Sequence, residues 1–191
     1  MRRPLLIGGN IGVVLLALGC GDTGGLLLVD KPVNPSEVLL PGELCSDNGD
    51  TAIATFEDGN LLAAVRSSLG LASLVDLTCN RLPGVTALNA SAAGIVSLVG
   101  MQNLTALISR QLDNNAITIL GSLGGLTALA SLTLDDNNDL INIQALLDNT
   151  GLAAGDNVGL TNTAVECIGV AALQAKGVTV SSDCELGSKG V

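Results

Sequence analysis

The 191-residue chain has no histidine, tryptophan or tyrosine, and its single aromatic side chain is Phe56. Without histidine, the usual general base near neutral pH and the commonest metal ligand are both missing. An enzyme is therefore not expected, because a nucleophile–base pair or a metal site would have to come from other groups. No cofactor is implied. Positive charge is scarce as well: eight Lys and Arg stand against 18 Asp and Glu, for a net charge of −10. Beyond Arg2 and Arg3 the basic residues (Lys31, Arg66, Arg81, Arg110, Lys176 and Lys189) are scattered. Nucleic acid, which needs a basic patch against its phosphates, is excluded as a partner. An acidic surface also repels anionic membrane, so any membrane attachment has to be covalent.

What the chain has in abundance is small aliphatic residues. Hydrophobic residues make up 48% of it, so its core must be assembled from Leu, Val, Ile and Ala in small, regular pieces. That composition suggests a repetitive architecture. The repeat is visible at a step of 22 residues: Leu88, Arg110 and Leu132; Ala90, Leu112 and Leu134; Ala93, Asn115 and Asn137. Leu82, Leu104 and Leu126 keep the same step, as do Val85, Leu107 and Leu129. One extra residue after Asn137 moves the next anchor to Leu140, which aligns with Ile95 and Ile117, and Leu98, Leu120 and Ile143 follow three residues later in each copy.

In each Leu-x-Leu the leucines point to one face of a short strand and the residue between them to the other. One copy cannot bury that face. Stacked copies form a parallel sheet over a continuous core, and the Asn after each strand can turn its amide towards free backbone groups at the bend. The Ile-x-x-Leu-x-x-Leu half of each unit returns in short helical or extended turns. This pattern resembles the leucine-rich repeat family, in particular the short-repeat, internalin-like type of bacterial surface proteins, over roughly Phe56 to Cys184. The expected fold is α/β: a leucine-rich repeat solenoid with short parallel concave strands, a helical N-terminal cap and a helix–strand C-terminal cap. FEDGNLLAAVRSSLG places Phe56, Leu61, Leu62, Val65 and Leu69 at helical spacing, as a cap helix requires. At the other end Val158, Leu160, Thr163 and Val165 mark a degenerate repeat. A helix from about Cys167 to Ala175 and a strand at Val178 to Val180 would close it.

The start of the chain reads as an export signal. Arg2 and Arg3 precede an apolar stretch from Ile11 to Leu18, which is too short to span a bilayer. LALGC, ending at Cys20, resembles a bacterial lipobox. That resemblance implies cleavage before Cys20, a thioether-linked diacylglycerol on it, and stable anchoring by two or more acyl chains. Asp22 is not adjacent to the cysteine; Gly21 is, which leans towards the outer rather than the inner membrane of the cell envelope. The expected organisation is a signal peptide over 1–19, a tether over 20–42, an N-terminal cap over 43–84, repeats over 85–157, and a degenerate repeat with C-terminal cap over 158–191. LLLV within the tether could instead be an edge strand.

With Cys20 set aside, four cysteines allow three pairings. Cys79 falls one repeat before Met101 and Leu123, Cys45 lies upstream of the cap helix, and Cys167 and Cys184 flank the C-terminal helix and strand. The expected pairs are Cys45–Cys79 and Cys167–Cys184, one staple per cap; buried free thiols are the alternative. An export signal favours the oxidised state, and the spacing lacks the close Cys pairs of a zinc site.

Binding, if present, is expected on the outward residues of the strands: Asn89 and Ser91, Gln111 and Asp113, Thr133 and Asp135, Gly159 and Thr161. This column is polar, slightly acidic and free of the aromatics that dominate protein hot spots. Four strands give it a width of about 15 Å. LDNN and LDDNND lack the spacing of an EF-hand; calcium at Asp135, Asp136 and Asp139 is a minor alternative to a turn role. Arg110 falls on an inward position, so its guanidinium is expected to reach solvent, to distort its strand, or to pair with Asp113 or Asp135. The expected function is a monomeric, lipid-anchored envelope module that binds a protein or glycan, the alternative being a structural envelope lipoprotein with no concave-face partner.

Overall fold

The computed structural model describes residues 37–184. The leader, Cys20, the LLLV stretch and residues 185–191 lie outside the described residues. Inside them the chain is already part of the folded unit at Leu39, which is buried in the core although it falls within the stretch expected as a tether. No helix among the described residues is long and apolar enough to cross a membrane.

The first helices among the described residues are a single turn at Cys45–Asp47 and the cap helix α1 (Gly59–Ser68). Asp58 starts α1 by accepting from the Asn60 and Leu61 N–H groups, while its second carboxylate oxygen accepts from the Val96 N–H, tying the cap to the first repeat. Burial pushes the Asp58 carboxyl up, but its four backbone N–H donors more than offset that and hold it below the ordinary value. Phe56 closes the cap over Gly100, whose φ of 107° puts it in the left-handed region. A side chain there would strike the Phe56 ring and the Thr55 carbonyl.

Five strands then follow in sequence order: β1 (Ala87–Asn89), β2 (Ser109–Gln111), β3 (Ser131–Thr133), β4 (Asn157–Leu160) and β5 (Thr179–Ser182). They form one parallel sheet in which every strand pairs with the next. The ladder aligns Leu88, Arg110, Leu132, Val158 and Val180, so the 22-residue step of the sequence becomes the register of the sheet. The fifth strand is the closing strand expected at Val178–Val180, which begins and ends later, at Thr179–Ser182, and joins the sheet of the four repeat strands. Single-turn helices at Met101–Asn103 and Gly121–Leu123, and the short helix α2 (Gln144–Asp148), make the return halves. The Leu, Ile and Val anchors named above, from Leu82 to Ile143, form one continuous core with the cap residues Leu61 and Val65. The helix α3 (Cys167–Ala175) packs Val170 and Leu173 on the far end.

Cys45 is joined to Cys79 and Cys167 to Cys184, with Cα–Cα distances of 5.5 and 5.4 Å. The Cys45 segment is also held by Asn103, whose amide accepts from the Cys45 N–H and donates to the Glu43 carbonyl. At the other end Lys176 aims its ammonium at the carbonyls of Leu146, Leu147 and Asn149, closing the C-terminus of α2.

The turn after each of the first four strands needs one residue at positive φ: Ala92 at 52°, Asn114 at 55°, Asp136 at 59° and Asn162 at 53°. Asn and Asp tolerate this conformation, whereas the Cβ of alanine is strained by about 1–2 kcal/mol. Ala92 is exposed, so Ala92→Asn should fit without repacking. We expect it to stabilise the protein by about 0.5–1 kcal/mol, seen as a Tm higher by about 2 °C. An unchanged or lower Tm would contradict this account of the turn.

Candidate binding surface

The strand alternation that buries Leu88, Arg110, Leu132 and Val158 turns their neighbours outward in three columns. Along β1 to β3 the first is Ala87, Ser109 and Ser131, continued by Asn157 and Thr179. The second is Asn89, Gln111, Thr133, Gly159 and Ser181. Ser91, Asp113, Asp135 and Thr161 make the third, where the strands give way to turns. The first column was not among the candidates read from the sequence, although the same period of two places it one residue before each anchor.

Hydrogen bonds tie the third column together across the repeats. The Asp113 carboxylate accepts from the Ser91 hydroxyl at 2.7 Å and from the Thr133 hydroxyl at 3.1 Å. Asp135 accepts from the Thr161 backbone N–H at 2.6 Å. Its other carboxylate oxygen lies over Gly159, where a Cβ would be 2.5 Å away. Gly159 therefore faces outward in register yet is buried, a correction to its expected exposure: the carboxylate of the preceding repeat covers it. One strand further on, Asn162 donates from its amide to Asp136 and from its backbone to Asp183. Of the candidates, Asn89 and Gln111 are exposed, while Ser91, Asp113, Thr133, Asp135 and Thr161 are half-buried. Among the described residues no three His, Cys, Asp or Glu side chains converge as metal ligands, and Asp135, Asp136 and Asp139 do not make such a cluster. The surface offers hydroxyls, amides and carboxylates in rows about 4.8 Å apart, a spacing suited to repeated polar contacts.

No protein-family model matches the chain, and no curated protein matches it. Solved structures do. The crystal structure of an internalin from Listeria monocytogenes superposes with a TM-score of 0.58 at 28% identity, covering 70% of this chain and 37% of that one. The chain is a leucine-rich repeat solenoid. The structures of internalin C2 (21% identity, TM-score 0.46, 65% of this chain and 64% of that one) and of the functional domain of InlJ (26%, 0.46, 55% and 23%), both from the same organism, are also similar. The solenoid thus spans little more than a third of the length of the first of these neighbours.

Inside the solenoid, Arg110 meets none of the three outcomes expected for it. Its strand keeps regular register, with Leu88 on one side and Leu132 on the other. The side chain is 0% exposed, and none of its three guanidinium nitrogens has a hydrogen-bond partner among the described residues. Asp113 and Asp135 cannot pair with it because they sit on the outward side, engaged with Ser91, Thr133 and Thr161. Desolvation pushes its pKa down from the ordinary arginine range to about 9. The strand has accepted a cation at a leucine position because both neighbours fix its register.

Proposed function

We propose that this chain is a non-catalytic binding module of the bacterial cell envelope, anchored by lipid at Cys20 in the outer membrane, whose concave face engages a protein or glycan. The observation that carries this reading is the sheet itself: five parallel strands present side chains of polar character in register, with Asn89, Gln111 and Thr133 side by side. Such arrays give many weak, evenly spaced contacts. A second reading, a structural envelope lipoprotein without a concave-face partner, draws support from the internal bonding of Asp113 and Asp135, whose carboxylates are engaged by the solenoid's own donors.

Site-specific photo-crosslinking in the native envelope separates the two. A crosslinker at Gln111 should yield a discrete adduct, whereas one at Ala63, exposed on α1, should not. Adducts absent from both positions would favour the structural reading. Intact mass of the membrane-extracted protein tests the anchor: a chain that begins at Cys20 with added acyl mass is expected, and an unmodified cysteine would refute it.

A further inference from the structure

The return halves of the repeats carry a feature that the concave-face reading leaves unused. Val96, Ile119, Ile141 and Ile168 are 61%, 74%, 63% and 76% exposed. Isolated surface aliphatics are ordinary, but a contiguous apolar row along grooves marks a docking surface. Three shallow cavities of about 240, 260 and 410 Å³ lie along this row. The first holds Val96 and Ile119, the second Ile119 and Asn142, the third Asn142, Ile141 and Ile168, so adjacent cavities share walls. The row crosses three repeat steps, about 15 Å at strand spacing, which is the length of roughly ten residues of helix.

Charge decides what fits. Glu57 lines the cavity at one end and Glu166 the cavity at the other. The cations among the described residues are Arg66, Arg81, Arg110 and Lys176, and none of them lines any of the three. A second copy of the chain would bring another −10 of net charge to a surface with acidic ends, and an anionic membrane would be repelled in the same way. We propose that this strip docks a cationic amphipathic segment of another protein, its aliphatic side chains entering the grooves and its Lys or Arg residues meeting Glu57 and Glu166. A helix with apolar residues at i, i+3 or i+4, and i+7 has the required face.

The test uses the disulfide-intact chain and a labelled leucine–lysine helical peptide of about 14 residues, followed by anisotropy at about 0.15 M salt, with a leucine–glutamate counterpart for comparison. The leucine–lysine peptide should bind and the counterpart should not. Ile119→Lys and Ile168→Lys should each weaken binding by about tenfold or more. Leu74→Lys adds the same charge at an aliphatic that is 95% exposed on the N-terminal cap, and should change binding by less than about twofold. Equal losses at all three positions would reduce the effect to net charge and overturn the proposal. So would no loss at Ile119 and Ile168, equal binding of both peptides, or a dimer in sedimentation that Ile119→Lys dissociates. All three substitutions are at exposed side chains, so folding is checked simply by an unchanged Tm.

Discussion

Arg110→Leu is expected to stabilise the protein by about 3–5 kcal/mol, a large change for one side chain. The position is a leucine in the repeats before and after it, so the volume already fits the core. The native side chain buries a guanidinium with no hydrogen-bond partner among the described residues, and the desolvation that pushes its pKa down to about 9 is a penalty of several kcal/mol when each unit is worth about 1.4. The pH dependence follows from the same fall. Between about pH 9 and pH 12 the unfolded chain holds a proton that the folded chain has released, so the stability of the native protein rises with pH there. Below pH 9 both states are protonated and the penalty is complete. The advantage of Arg110→Leu should therefore be constant from pH 6 to 8 and shrink above about pH 9. Urea unfolding followed by far-ultraviolet circular dichroism at about pH 7 and pH 10 measures both. A variant no more stable than the parent would mean that the guanidinium finds a partner in solution.

Asn137→Ala should have the opposite sign and nearly the same size, a loss of about 3 kcal/mol. Asn137 is fully buried. Its side-chain oxygen accepts from the Ile117 N–H at 2.9 Å, and its amide donates to the carbonyls of Leu112 at 3.0 Å and Leu134 at 2.9 Å. One side chain thus satisfies backbone groups of two successive repeats where the chain bends away from the sheet. Alanine would leave the Ile117 N–H and the Leu134 carbonyl unpaired in the interior, and the Leu112 carbonyl with only its bond from the Asn115 amide. The same urea titration reads the loss, and a decrease under about 1 kcal/mol would show that water reaches the vacated site.

The solenoid was legible in the sequence because its cause is periodic. Leucines at a fixed step can be buried together only by stacking, and Asn115 and Asn137 stand where each turn leaves backbone groups free. The inward position of Arg110 was legible for the same reason; its lack of a partner was not, since that depends on where Asp113 and Asp135 point. The bounds of β5 were misplaced because pairing with β4 continues from Thr179 to Ser182, past the apolar residues that signal a strand. The contacts of Lys176 with carbonyls 27 to 30 residues away leave no local trace, and the covering of Gly159 by Asp135 becomes visible only when the two strands are side by side. Of the face, the columns could be read and the bonding within them could not.

The two disulfides also set how the molecule gives way under load. A force applied through the chain cannot draw out the segments spanning 34 and 17 residues that Cys45–Cys79 and Cys167–Cys184 enclose. What can lengthen between the crosslinks is the run from Cys79 to Cys167, about 300 Å of contour at roughly 3.5 Å per residue. That run is also where Arg110 weakens the stack. A pulled molecule should therefore yield first at its middle and keep both ends shut, the reverse of a repeat array that peels from its tips.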